Sequence, residues 1–413
     1  MTEALARVQE VMTEGMSLES IRGAARRISP YVRATPLIYS PVFSQESGNR
    51  VWMKPENLQL TGAYKVRGAY NKILSLTETE RRRGLIAASA GNHAQGVALA
   101  AAQLGVPATI VMPCTTPLIK VEATRGHGAA VILHGNNYDE ACREACRLEQ
   151  AQGLTFVHPF DDPEVMAGQG TIGLEIYEEL SQVDAVLVPV GGGGLISGVA
   201  VALKSLNPRI RVIGVEPEGA MAMKKSFAAG RRVFLDHVDT IADGVAVKVP
   251  GELTFEIARH WVDEIVTVND YDLMDAMLLL LEKHKLIAEN AGVLSLAGLR
   301  KLNCAGRSIV SVISGGNIDV VTISSMINKG LVMRGRIFSF AVDLPDTPGQ
   351  LVRVSEILAR HNANVIKLDH NQFSVLDRFH NVTLKVTIEA NGHRHIDEIT
   401  SAMHEAGYVI RAV

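Results

Sequence analysis

From about residue 50 onward, short apolar runs alternate with stretches of helical periodicity. "GLIAAS" precedes "HAQGVALAAAQLG", "ATIVMP" precedes "PLIKVEATRG", and "AAVILHG" precedes "NYDEACREACRLEQAQG". This is the rhythm of parallel βαβ units. It continues through "DAVLVPV", the helix "LISGVAVALKSLN" and "RVIGVEPE", and ends in "RSIVSVISGGN". Nearly continuous apolar runs predict strands of a parallel sheet buried on both faces, so the body of the chain is predicted to be a layered α/β fold.

After "MINKGLVMRGR" the rhythm changes. Residues 336–413 read as strand "IFSFAVDLP", helix "TPGQLVRVSEILARHN", strands "NVIKLDHN" and "HNVTLKVTIEA", helix "HIDEITSAMHEAG" and strand "YVIRAV". That order, βαββαβ, is the ferredoxin-like one. The expected organisation is a first region over residues 1–330, a short connection at 331–335 and a small domain over 336–413.

Composition narrows the partners. A chain of 413 residues, 47% hydrophobic and 21% charged, can bury one large core or two. A net charge of −3 leaves no basic surplus for phosphate backbones or anionic membranes, which excludes nucleic acid and membrane as expected partners and favours a small molecule. No apolar run reaches the ~18–20 residues of a membrane span. The four cysteines are too sparse for a disulfide scaffold, and "MTEALARVQEVMTEG" lacks the pattern of a signal peptide, so a cytoplasmic location is expected. Cys142 and Cys146 stand four apart in "YDEACREACRLEQ" and share a helix face. No second ligand pair follows, which favours a buried helix face over a metal site.

Three loops carry candidate chemistry. In "LTGAYKVRGAYN", Lys65 and Arg67 fall in the first turn of a helix, where the dipole disfavours cations. In "VLVPVGGGGLISG", four glycines follow a buried strand and precede a helix, so bare amides could converge on a phosphate there. A dinucleotide loop fails on spacing, because Ile196 and Ser197 stand where the third glycine is needed in the first two registers and Leu195 breaks the third; a purely structural turn remains open. "AASAGNHAQG" (87–96) and "VISGGNIDV" (312–320) also follow buried strands, and in an open α/β sheet such loops meet at the carboxyl ends. Singly each is ambiguous: Ser89 or Asn92 could cap a helix, and His93 could be a core histidine.

"TGAYKVRGA", "SAGNHAQG", "GGGGL" and "SGGN", in this order across residues 20–325, resemble the threonine/serine dehydratase branch of the fold-type II pyridoxal-phosphate enzymes. "DLPDTPGQL" resembles an ACT domain, a small amino-acid-sensing module. The resemblance implies two open parallel-sheet lobes, the smaller over roughly 55–155 inserted in the larger. It implies that Lys65 forms the Schiff base with pyridoxal 5'-phosphate and Tyr64 sits against the ring. Asn92 reaches the phenolic oxygen, Gly191, Gly192, Gly193, Gly194 and Leu195 hold the phosphate, and Ser314 faces the pyridine nitrogen. Ser89, Ala90, Asn92 and His93 surround the substrate carboxylate. Tyr64 departs from the family's usual phenylalanine, and either ring can pack there.

The implied reaction is β-elimination of threonine to 2-oxobutanoate and ammonia, with serine as a secondary substrate. Lysine suits this role because burial and a helix N-terminus both disfavour its ammonium form. A neutral Ser314 makes a weaker electron sink than an aspartate would, which favours prompt elimination over racemisation. Racemases of this branch carry a serine where Ala90 stands, and Ala222 stands where their metal site has a carboxylate, so no metal is expected at Glu216. A serine dehydratase or racemase, a β-replacement enzyme and a non-catalytic amino-acid sensor are the alternatives.

In the small domain, Pro348 and Gly349 lie at a strand-to-helix junction that could admit an aliphatic amino-acid effector, with Asn364 adding a contact. The rival reading there is a plain turn capped by Thr347. The ACT resemblance implies a homo-oligomer, dimer or tetramer. Arg67 either repels Lys65 or pairs with a carboxylate such as Glu56.

Overall fold

The computed structural model describes residues 16–371 and 381–413. The stretch read above for a signal peptide, residues 1–15, lies outside the described residues. The chain divides into two compact units, Met1–Ile318 and Asp319–Val413.

The first unit holds two sheets. The larger has six strands in the order Ile38–Tyr39, Arg50–Pro55, Ser308–Ile313, Ala185–Pro189, Arg211–Pro217, Glu264–Val268. All neighbours pair in parallel except the first two. The smaller sheet, wholly parallel, runs Ala130–Leu133, Ala108–Met112, Leu85–Ala88, Thr155–Phe156. In sequence it lies between Arg50–Pro55 and Ala185–Pro189, both strands of the larger sheet.

Ser308–Ile313, Ala185–Pro189 and Leu85–Ala88 are buried at every residue, as continuous apolar runs require. Ala130–Leu133 is different. It was expected to be buried, yet it forms the edge of the small sheet, with Ile132 and Leu133 exposed. An apolar run alone cannot tell an edge strand from a central one.

Helix Tyr138–Gln152 buries Ala141, Ala145 and Leu148, while Cys142 is half-buried and Cys146 exposed. The cysteines therefore flank the buried stripe and do not form it.

In the second unit the strand order is Asn364–Asn371, Asn381–Glu389, Ile337–Pro345, Ile410–Ala412, all antiparallel. Numbered along the chain this is 2-3-1-4, the ferredoxin-like arrangement that the βαββαβ reading predicts. Phe340, Val342, Leu384 and Val386 from the strands pack with Val354, Leu358, Ile399 and Met403 from helices Gln350–Arg360 and His393–Glu405. Helix Val320–Met333 also falls in this unit, so the division lies ahead of the expected 331–335 connection.

Candidate active site

Several helices that stand away from the motif loops are capped, whereas three that start in the motif loops are not. Helices beginning at Leu18, Pro41, Tyr138, Pro163 and Asp270 carry side-chain caps from Ser17, Ser40, Asn137, Asp162 and Asn269. Helices Lys65–Ser75, Asn92–Gln103 and Gly194–Leu206 carry none. Their first-turn amides lack intrahelical acceptors and stay available to an anion. Gly91 stands at the cap position of Asn92–Gln103, so neither Ser89 nor Asn92 caps it; Ser89 Oγ accepts instead from Gly91 N at 3.2 Å.

These helix starts are tied together. Gly96 lets helix Asn92–Gln103 approach the start of Lys65–Ser75, since a Cβ there would lie 3.2 Å from Val66 N and 3.3 Å from the Lys65 carbonyl carbon. Tyr64 N donates to Ser314 O at 3.1 Å, Gly316 N donates to Gly62 O at 2.8 Å, and Ala63 bridges to Gly315. The segment 157–161 joins the glycine loop to the lysine: Pro159 O accepts from Lys65 Nζ at 2.6 Å, and the Phe160 ring packs against Gly192.

Lys65 is half-buried, with its amine 5.2 Å from the centre of the Tyr64 ring. Burial lowers its pKa to about 8, against an opposing pull from Glu289. Burial, aided by Glu289, raises the Tyr64 phenol well above its ordinary range, so the ring meets the amine as a neutral group.

The glycine loop is fixed from behind. Gly192 O accepts from Thr254 Oγ1 at 2.6 Å and from Gly251 N at 3.2 Å. Gly193 has φ +100, a backbone that only glycine adopts without strain, and it starts the helix. Leu195 is buried in the large-sheet core. Asp161 holds the neighbouring helix start through Glu252 N and Thr254 N at 2.9 and 3.0 Å.

Ser314 is buried at the end of its strand, with Oγ 3.5 Å from Ala291 O. Ala90 is half-buried in the turn before Asn92. Asn92 Nδ2 donates to Glu289 Oε1 at 2.6 Å, and its Oδ1 accepts from Asn317 Nδ2 at 2.8 Å. His93 is 3% exposed, and its Nε2 donates to Val157 O at 2.8 Å. Burial, then the nearby Lys65, lowers its pKa to about 3, so the ring is neutral. Nδ1 is therefore a lone-pair acceptor, and it has no partner among the described residues. Such a ring repels a carboxylate, so any contact from His93 to one must use its backbone amide.

Two site residues escaped the sequence reading. Glu289 lies on the irregular segment before Asn290–Val293, where no strand or motif marks it, and burial raises its pKa to about 7. Val245 packs on Gly191, its Cα 3.0 Å from where a Cβ would stand; "ADGVAV" signalled only an irregular turn.

The Arg67 alternative is resolved. Arg67 is fully buried and forks onto Glu56, so it does not act on Lys65 as a free like charge. Glu216 accepts from Met223 N and Lys224 N, both at 2.8 Å, and thereby caps helix Ala222–Ala229.

Residues 28–315 match the model of the pyridoxal-phosphate dependent enzyme family. The chain belongs to this family. Pyridoxal phosphate is its cofactor, and the uncapped helix starts, the glycine loop and the low-pKa lysine are the groups such a molecule needs.

Within this family, the chain is 49% identical over 399 residues to an L-threonine ammonia-lyase of Thermotoga maritima, covering 96% of this chain and all of that protein. It is 45% identical over 392 residues to an L-threonine ammonia-lyase of Geobacter sulfurreducens, covering 94% and 98%. Among solved structures it is similar to threonine deaminase isoform 2 of Solanum lycopersicum, with TM-score 0.73 and 40% identity over 75% of this chain and 86% of that one. It is also similar to maize serine racemase, with TM-score 0.73 and 36% identity over 77% and 99%.

Proposed function

We propose that the protein is a threonine ammonia-lyase, converting L-threonine to 2-oxobutanoate and ammonia, with L-serine as a secondary substrate. The observation that carries this reading is Lys65, a low-pKa amine at an uncapped helix start beside the glycine loop. When bound, pyridoxal phosphate supplies the electron sink that lets the Cα–H bond of an amino acid break.

Lys65 holds the cofactor and then serves as the base for the α-proton, a role its lowered pKa suits. Gly191–Leu195 hold the phosphate, Asn92 and Tyr64 meet the ring, and Ser314 meets its nitrogen as a neutral partner. The amides following Ser89 and Ala90, at the uncapped start of Asn92–Gln103, take the substrate carboxylate. Ala90 offers no hydroxyl to return a proton to the opposite face, which supports elimination over racemisation.

The ferredoxin-like unit is read as an ACT-like sensor of an aliphatic amino acid in a homo-oligomer. Gly349, at φ +95, starts helix Gln350–Arg360 with no side-chain cap, in place of the expected Thr347 cap. Asn364 Nδ2 is engaged by Glu389 Oε2 at 2.8 Å, so Pro348 and the amides after Gly349 carry the effector contact. Four free cysteines fit a cytoplasmic location.

The deciding experiment measures 2-oxobutanoate release from threonine against pyruvate release from serine, in wild type and in Lys65→Ala. Equal or greater turnover of serine, or full activity in Lys65→Ala, overturns the reading. Calorimetry of isoleucine and valine with the intact oligomer tests the sensor; no binding of either removes it.

A further inference from the structure

We propose that Glu289 is a positioning residue for the reaction, holding the Asn92 carboxamide in the one orientation that keeps an N–H free to donate into the site. The proposal rests on the reading of Asn92 as the group that meets the cofactor ring.

The geometry is a directed chain of hydrogen bonds. Asn317 Nδ2 donates to Thr61 O at 2.6 Å and to Asn92 Oδ1 at 2.8 Å. Asn92 Nδ2 then donates to Glu289 Oε1 at 2.6 Å. Both hydrogens of Asn317 are used, whereas Asn92 spends one and keeps one. Both ends set the sense of the chain: Thr61 O can only accept, which turns the Asn317 nitrogen toward the Asn92 oxygen, and an ionised carboxylate cannot donate, so the Asn92 nitrogen must face Glu289. A terminal group that donated would oppose the Asn92 N–H and leave the carboxamide held from the Asn317 side alone.

Glu289 is itself held by the motif loops. Its backbone N donates to Gly315 O at 3.0 Å, and its carbonyl accepts from Gly292 N at 2.8 Å. Gly315 leaves room for the carboxylate, because a Cβ there would stand 2.4 Å from Oε1. Lys65, Lys120 and Asp243 act on the carboxylate electrostatically, and Tyr64 is acted on by it. Burial sets its titration near neutrality, so within the working pH range protonation removes the charge from the terminal acceptor and adds an O–H that competes with the Asn92 N–H.

The test uses the holoenzymes of Glu289→Gln, Glu289→Ala, Asn92→Ala and the double variant Glu289→Ala/Asn92→Ala. Three readouts are taken: pyridoxal phosphate affinity by equilibrium dialysis, the pH midpoint of the cofactor's visible band, and kcat and KM for threonine. Each alanine variant is expected to shift the midpoint in the same direction and to lower kcat about tenfold to a hundredfold with little change in KM. The double variant is expected to be no worse than the poorer single one, and Glu289→Gln to lose the acidic limb of the kcat profile near pH 7. Losses that multiply in the double variant, or a wild-type midpoint in Glu289→Ala, overturn the proposal. If Glu289→Ala does not fold, the isosteric Glu289→Gln decides: a wild-type midpoint there overturns it. The band is read without substrate, so failure to turn over threonine counts against the lyase reading alone.

Discussion

Arg67 and Glu56 form a two-bond fork in which Nε donates to Oε2 and Nη2 to Oε1, both at 2.8 Å, with neither residue exposed to solvent. Glu175 approaches the same guanidinium and also takes Lys54 Nζ at 2.6 Å. Two residues after Lys65, a cation at a helix start is thus neutralised by carboxylates from two other elements. Removing it strands buried charge. Arg67→Ala is expected to cost about 3–5 kcal/mol of stability, and Arg67→Lys to recover only part of it because an ammonium cannot fork. Urea unfolding measures both.

The fork marks where sequence reading reached and where it stopped. Arg67 and Glu56 were legible as a possible pair, but their burial was not, because a charged residue in a first turn reads by default as solvated. Arg50–Pro55 was hidden for the same reason, since Lys54 interrupts its apolar run, although that lysine is fully buried against Glu175. Glu264–Val268 carried a readable β-branched signal in "EIVTV" and went unnamed among its helices. The motif loops were found because each follows an apolar strand with an abrupt run of small polar residues. Glu289 had no such context: an acid on an irregular segment becomes a site residue only when folding brings it to Asn92.

The lowered pKa of Lys65 gives the uptake of cofactor a defined pH profile. Only the neutral amine attacks, so the rate at which cofactor-free protein binds pyridoxal phosphate is expected to rise about tenfold per pH unit below pH 8 and to level off above it. Stopped-flow absorbance follows this directly. A profile still rising steeply at pH 10 would show an ordinary, undepressed lysine.

Gly192 has no room for a side chain, because a Cβ would stand 2.4 Å from the Phe160 ring. Gly192→Ala is expected to push the loop off its Thr254 anchor and weaken pyridoxal phosphate binding about tenfold to a hundredfold. Equilibrium dialysis at fixed pH measures it, with circular dichroism showing that the fold persists.

Glu216 titrates at about 7, raised from 4.5 mainly by burial. A carboxyl shifted upward gives its full stability contribution below pH 4.5 and loses it as pH rises through 7. Glu216→Gln does not titrate but keeps one acceptor oxygen for the two amides of Met223 and Lys224, so it is expected to be less stable than wild type at pH 5 and to close part of that gap by pH 8. Denaturation midpoints at the two pH values check the sign.

The seat of Ser308–Ile313 has a consequence for biosynthesis. It fills the middle of the large sheet, pairing on one side with Arg50–Pro55 and on the other with Ala185–Pro189. A nascent chain leaving the ribosome therefore carries two sticky, unsatisfied strand flanks until Ser308–Ile313 has emerged, and closing that gap joins segments far apart in sequence. The final strand of the first unit is the keystone of its assembly, and Ser314, the residue that follows it, reaches the site only when the keystone is set.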